Sequence, residues 1–172
     1  AERLGLGVDL TTGSGWCFGG PHVTRERGGW RLDVKVYETR AGEAVTNAFR
    51  RQQVQALRAV GPGGEAEDVL PLLDERGRLA WTPGREGVRL VALLADPSKG
   101  QAVKRAGPGG KGLMINPFDP AAMEQFLEPF SRAFPLDGSG ARPRAMYHDS
   151  YEYYGTAWCQ DFLEAFARKR GY

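Results

Sequence analysis

Apolar and polar residues are distributed in three different ways along the chain, and each predicts a different kind of element. Residues 4–10 (LGLGVDL) are a short apolar run with two glycines, the pattern of a buried parallel strand covered on both faces. Residues 11–21 (TTGSGWCFGGP) then form a glycine-rich loop with two aromatics. A strand running into such a loop suits the C-terminal face of a (β/α) barrel, where active sites are built. From residue 31 the period changes to two: Leu32, Val34 and Val36 alternate with Asp33, Lys35 and Tyr37, predicting a half-buried strand. Residues 53–60, 68–73, 78–81 and 87–95 are further short strands. Gly61-Pro62-Gly63-Gly64, Asp74-Glu75-Arg76-Gly77 and Pro83-Gly84 supply the turns between them. Residues 41–51 read either as irregular chain or as a short helix.

After residue 95 the pattern returns to alternating strand and helix. Residues 112–116 (GLMIN) predict a short strand. Asp119 then stands as an N-cap with Pro120 at the first helical position, opening a helix that runs to about Phe134. Met123, Phe126, Leu127 and Phe130 fall on one face of it, and Pro129 is expected to kink or shorten it. Residues 143–147 lead into a strand. A second amphipathic helix is expected over 156–170, with Trp158, Phe162, Leu163 and Phe166 on one side. Its last turn holds Arg168, Lys169 and Arg170, and Gly171 follows as a stop. The expected architecture is α/β: a partial (β/α) TIM-type barrel interrupted by a small antiparallel β insertion. Its parts are 1–30 (barrel strand and active-site loop), 31–96 (β-rich insertion) and 97–172 (barrel strands and helices). A chain of 172 residues is shorter than the roughly 250 of a complete barrel, so both ends read as cuts through a larger protein.

Composition removes several function classes. With 23 basic and 21 acidic residues the formal charge is +2, so there is no electrostatic footprint for nucleic acid. No apolar stretch of about 18 residues is present, so no membrane-spanning helix is expected. Cys17 and Cys159 lack metal-ligand spacing and read as free thiols, and His22 and His148 are the only histidines, which argues against zinc. The glycine loop carries no Gly-Lys-Ser/Thr and is a poor dinucleotide fingerprint, so neither a nucleotide nor a redox cofactor is expected.

Three segments carry candidate chemistry. His148-Asp149-Ser150-Tyr151-Glu152 follows a short apolar strand. A carboxylic acid at such a strand end donates a proton to a glycosidic oxygen while a second carboxylate orients water. The plainer reading is a solvated loop with a helix-capping carboxylate. In the loop Thr12-Gly13-Ser14-Gly15-Trp16 with Gly19-Gly20-Pro21-His22, glycines let a backbone approach a ligand and Trp16 stacks on a sugar face; the alternative is a tight turn with a core tryptophan. Lys104-Arg105 before Gly107-Pro108-Gly109-Gly110 suits an acidic substrate or, more plainly, is a solvated charge pair. Asp9, Asp149 and Glu152 would serve calcium if the fold gathered them.

Taken in series, these segments resemble family 106 glycoside hydrolases, the α-L-rhamnosidase-like group. Leu6-Gly7-Val8-Asp9-Leu10 with Gly13 to Pro21 resembles that family's second barrel strand and following loop. Residues 103–106 through 112–118 resemble the return from its β insertion. Asp149-Ser150-Tyr151-Glu152, then Trp158, Phe162-Leu163 and residues 168–172, resemble its Asp-Ser-x-Glu strand end and a helix ending in a basic-Gly-Tyr signature. The resemblance implies a calcium-assisted, inverting barrel hydrolase releasing terminal α-L-rhamnose from plant or bacterial polysaccharides, periplasmic or secreted. It assigns Asp149 and Glu152 as active-site carboxylates, with Glu152 the general acid and its partner expected beyond Tyr172. Trp16, Gly19, Gly20, Arg105, Asn116, His148 and Tyr151 are the expected substrate contacts. Two other readings stay open: a β-galactosidase- or β-glucuronidase-like hydrolase, and a non-catalytic carbohydrate-binding module stacking sugar on Trp16, Tyr151 and Tyr153.

Overall fold

The computed structural model describes residues 1–97, 100–135, 137, 142–148 and 152–171, apart from the Glu2 side chain. Among them are nine strands and two α-helices. In chain order they are β1 (Asp9–Thr11), β2 (Gly19–Gly20), β3 (Trp30–Glu38), β4 (Val54–Val60), β5 (Ala66–Asp68), β6 (Arg89–Asp96), β7 (Leu113–Met114), α1 (Pro120–Ala133), β8 (Ala145–Tyr147), β9 (Thr156–Trp158) and α2 (Phe162–Arg170). The chain divides into two compact units. One is Leu32–Asp96; the other joins Ala1–Arg31 to Pro97–Tyr172.

The Leu32–Asp96 unit is a sheet of order β5-β4-β6-β3. β4 and β6 pair antiparallel, and the register shifts between Val54 and Ala56. That irregularity explains how Val54, Leu57 and Ala59 are all buried although their spacing breaks strict alternation. The core also takes Phe49, Val69, Leu73, Leu79, Val88, Leu90 and Ala92. On β3 the inward face is the opposite of the expected one. Tyr37 packs on this core with its ring 5.8 Å from Phe49, while Val34 and Val36 are exposed. One aromatic ring offers more apolar area than a valine and decides the face. Residues 41–51 form turns and irregular chain, not a helix. Residues 78–81 make only isolated bridges, with Arg78 on Ala48 and Leu79 on Leu73.

In the other unit β1 and β8 pair parallel, Asp9 opposite Ala145 and Thr11 opposite Tyr147. β2 and β7 pair antiparallel, and so do Trp30-Arg31 with β9. Phe18, Val23, Ile115, Ala122 and Phe126 form the core, flanked by Met123, Leu127 and Phe130 from the expected face of α1. Asp119 caps that helix, accepting from the Ala121 N–H at 3.0 Å, and the helix runs on through Pro129.

The structure is therefore not a partial (β/α) TIM-type barrel. It is predominantly β, with two α-helices and mainly antiparallel pairing. Two local departures account for the difference. In residues 4–10, Leu4 ends a short 3-10 turn and Gly5 takes a left-handed φ of 65°, so the strand starts only at Asp9, and Leu4, Leu6 and Val8 are exposed. A run of apolar residues becomes a buried strand only where another layer covers it. Residues 156–170 are not one helix: Thr156–Trp158 pairs with the start of β3, and α2 begins at Phe162. Here cross-strand pairing overrides helical periodicity. The far end of α2 is as expected, with Gly171 left-handed at φ 78° after three basic residues.

β2 and β7 approach so closely that a Cβ on Gly19 would lie 2.7 Å from Met114 Cα and collide with the Leu113 carbonyl. Gly19→Ala is expected to destabilise the protein by about 1–3 kcal/mol. Gly84→Ala, with open space around the site, should change stability by less than about 0.5 kcal/mol. Urea denaturation of both variants checks the contrast; equal midpoints would refute it.

Candidate functional site

Two glycine-rich segments, 11–22 and 103–112, interlock. The Trp16 N–H donates to the Lys104 carbonyl at 2.9 Å, and the Lys104 N–H donates back to Trp16. Ser14 Oγ donates to the Gly110 carbonyl at 2.6 Å, and the Gly107 N–H donates to the Ser14 carbonyl at 3.1 Å. A Cβ on Gly15 would stand 2.7 Å from the Lys104 carbonyl oxygen, so the main chains meet there only because that side chain is absent. The Thr12 N–H donates to the Tyr147 carbonyl at 3.1 Å and ties the first loop to the end of β8.

An open cavity of about 890 Å³ lies where these segments meet, lined by Thr11, Gly13, Ser14, Gly15, Trp16, Lys104, Arg105 and Tyr147. This is the size range of small-molecule sites, about 300–1,000 Å³. The Lys104 ammonium sits 5.0 Å from the centroid of the Trp16 ring and 5.9 Å from that of Tyr154, and the two rings are 5.8 Å apart. The cation is thus held against two aromatic rings. Arg105 has φ 53°, the left-handed region that a side chain disfavours. No described residue lining the cavity carries a carboxylate.

Of the expected contacts, Trp16 and Arg105 line this cavity. Gly19 and Gly20 are buried in β2, and Gly19 accommodates the backbone of β7. Both glycines line a neighbouring shallow cleft with Ser14, His22 and Gly110. Asn116 is buried and engaged: its side-chain N–H donates to the Trp158 carbonyl at 2.9 Å, and its Oδ1 accepts from the Phe118 N–H at 3.0 Å. Those bonds fasten β9 to the turn before α1. His148 is half-buried with its ring 4.1 Å from Phe18, and Tyr153 packs against the same core. Glu152 is exposed, near enough to Cys17 to act on its thiol. Asp149 and Tyr151 lie outside the described residues. Tyr147 and Tyr154 were not among the expected contacts. Tyr147 reads as one more apolar strand residue, and Tyr154 becomes informative only once Lys104 is placed beside it.

Of the expected calcium donors, Asp9 is engaged by an arginine and Asp149 lies outside the described residues. Arg144 binds Asp9 through both carboxylate oxygens, holding the Asp9 carboxyl below its ordinary range by hydrogen bonding and then by charge. No group of three or more carboxylate, histidine or cysteine side chains gathers among the described residues. No helix among the described residues is long and apolar enough to cross a membrane.

Cys17 and Cys159 are buried free thiols. Burial pushes the Cys17 thiol up, with Glu152 adding to the shift and Lys104 opposing it. Burial, with a hydrogen bond and the charge of Asp161, raises Cys159 to about 11. Both shifts deplete the thiolate, which is the reactive form. At pH 8 neither thiol should react with Ellman's reagent in the native protein within minutes, and both should react in 6 M guanidinium. Fast native labelling would contradict this.

Comparison with known proteins gives no match: no family model, no curated protein and no solved structure is similar to this chain.

Proposed function

We propose that this chain forms part of a carbohydrate site in a glycoside hydrolase that releases terminal α-L-rhamnosyl groups with inversion. The observation that carries the reading is the convergence of distant segments on one open cavity. Thr11 and Tyr147 stand at the ends of a parallel strand pair, the 13–16 loop brings Trp16, and Lys104-Arg105 closes the wall. A sugar offers an apolar ring face and many hydroxyls. The cavity answers with aromatic side chains for the face and with serine, threonine and exposed cations for the hydroxyls.

In this reading Glu152 protonates the glycosidic oxygen as the bond to the anomeric carbon breaks. A second carboxylate takes a proton from the water attacking the opposite face, which inverts the configuration. Asp149 is the other acid of the same strand end. The resemblance of 149–152 to the Asp-Ser-x-Glu pattern supports the assignment, and so does the place of Glu152 shortly after β8.

One observation favours a second reading, carbohydrate binding without cleavage: the described cavity wall has aromatic rings and cations but no carboxylate. The two are separated by a panel of aryl glycosides assayed with the intact protein. Hydrolysis of an aryl α-L-rhamnoside, lowered about 10²–10⁴-fold by Glu152→Gln, is the expected result. Sugar binding without turnover would move the conclusion to the binding module. Cleavage unaffected by Glu152→Gln would remove Glu152 from its role.

A further inference from the structure

We infer that this cavity takes an acidic saccharide, one in which a uronic acid carboxylate lies beside the bond or ring it recognises, and that Lys104 and Arg105 form the subsite for that carboxylate. The inference rests on the carbohydrate reading above and adds the class of sugar.

Several arginines of this chain sit with an acid close by: Arg27 with Asp119, Arg78 with Asp74, Arg144 with Asp9, Arg168 with Glu164. Lys104 and Arg105 are set apart by their place. They stand side by side on the cavity wall, and among the described residues neither has a carboxylate partner. Among the described residues no acid lines the cavity, and the charge those residues present to it is positive. A neutral sugar gains little from such a field, whereas a carboxylate gains both attraction and charge-assisted hydrogen bonds.

Both cations are also placed. The Lys104 ammonium is held at 5.0 Å from the Trp16 centroid and 5.9 Å from that of Tyr154, which fixes the charge at the cavity rim. Its backbone is locked to Trp16 by the reciprocal hydrogen bonds of an isolated antiparallel bridge. Arg105 is the one described non-glycine residue with positive φ, at 53°. Glycine would occupy that conformation without strain, and the loop has glycines at 107, 109 and 110. The left-handed position therefore carries a guanidinium, whose planar fork matches a carboxylate in two-point contact. Trp16 and Tyr147 line the same cavity and give the attached ring an apolar surface.

The test is calorimetric titration of the intact protein with two uncleavable, sulfur-linked disaccharides: α-L-rhamnosyl-glucuronic acid and its carboxyl-reduced counterpart, α-L-rhamnosyl-glucose. The acid is expected to bind about tenfold more tightly at 50 mM salt, with the advantage shrinking severalfold at 500 mM as the charges are screened. Arg105→Gly suits the left-handed backbone and so should fold; it and Lys104→Met, which keeps the aliphatic stem against Trp16, should each cut the preference for the acid. Equal affinity for the two disaccharides overturns the inference while leaving the carbohydrate reading in place. A preference for the acid that survives both substitutions also overturns it. Binding of neither disaccharide overturns both.

Discussion

Close approach of main chain to main chain is the constraint on which the larger unit depends. Gly15 lies against the carbonyl of Lys104, Gly19 against Leu113 and Met114, and Gly112 against Gly20. At each point a β-carbon would fill space that the opposing backbone already occupies. The glycines let two irregular segments satisfy each other's polar groups, as strands do, without either being long enough for a conventional sheet. Ser14 completes the join by reaching the Gly110 carbonyl. With the segments locked, Phe18 and Ile115 enter the core beneath them and meet Phe126 of α1.

The cavity inherits its shape from that join. Trp16 and Lys104 face each other because their backbones are bonded, and Tyr154 closes on the pair from a later part of the chain. Arg105 follows Lys104 in the turn that leaves the join, which accounts for its unusual backbone angle. The polar character of the cavity is thus a by-product of the packing that stabilises its walls. The cysteines fit the same picture: Cys17 lies directly after Trp16, sealed from water by the interlocked loops, and burial keeps it protonated.

Local signals are legible in this sequence, and long-range ones are not. The start of α1 was legible because an Asp-Pro cap and a helical apolar stripe depend on neighbouring residues only. Gly171 and the basic last turn of α2 were legible for the same reason. The barrel expectation fails because a short apolar run has no intrinsic direction: nothing within residues 4–10 says that Leu4, Leu6 and Val8 are left exposed, and nothing within 156–158 says that this segment pairs with Trp30 and Arg31. At the candidate site, Trp16 and Arg105 were recognisable by residue type. Gly19 admits a neighbouring strand, and in sequence such a glycine looks identical to one that admits a ligand. Asn116 reads in sequence as a polar contact, and in the fold its amide bonds to the Trp158 carbonyl and the Phe118 N–H. Only the fold could disclose those partners.

The division into units has a consequence for the order in which the molecule is made. Leu32–Asp96 is continuous; β4 pairs with β5 and β6, which follow it in the chain, while β3 waits for β6, so the unit can acquire its core soon after β6 is synthesised. The other unit is interrupted. Residues 11–22 emerge early but must wait, with Trp16, Cys17 and Phe18 unsheltered, until 103–115 have been made. The intervening segment sets the length of the loop that must close, and its early compaction draws the ends together and shortens that wait. The smaller unit thereby shortens the closure on which the described walls of the cavity depend.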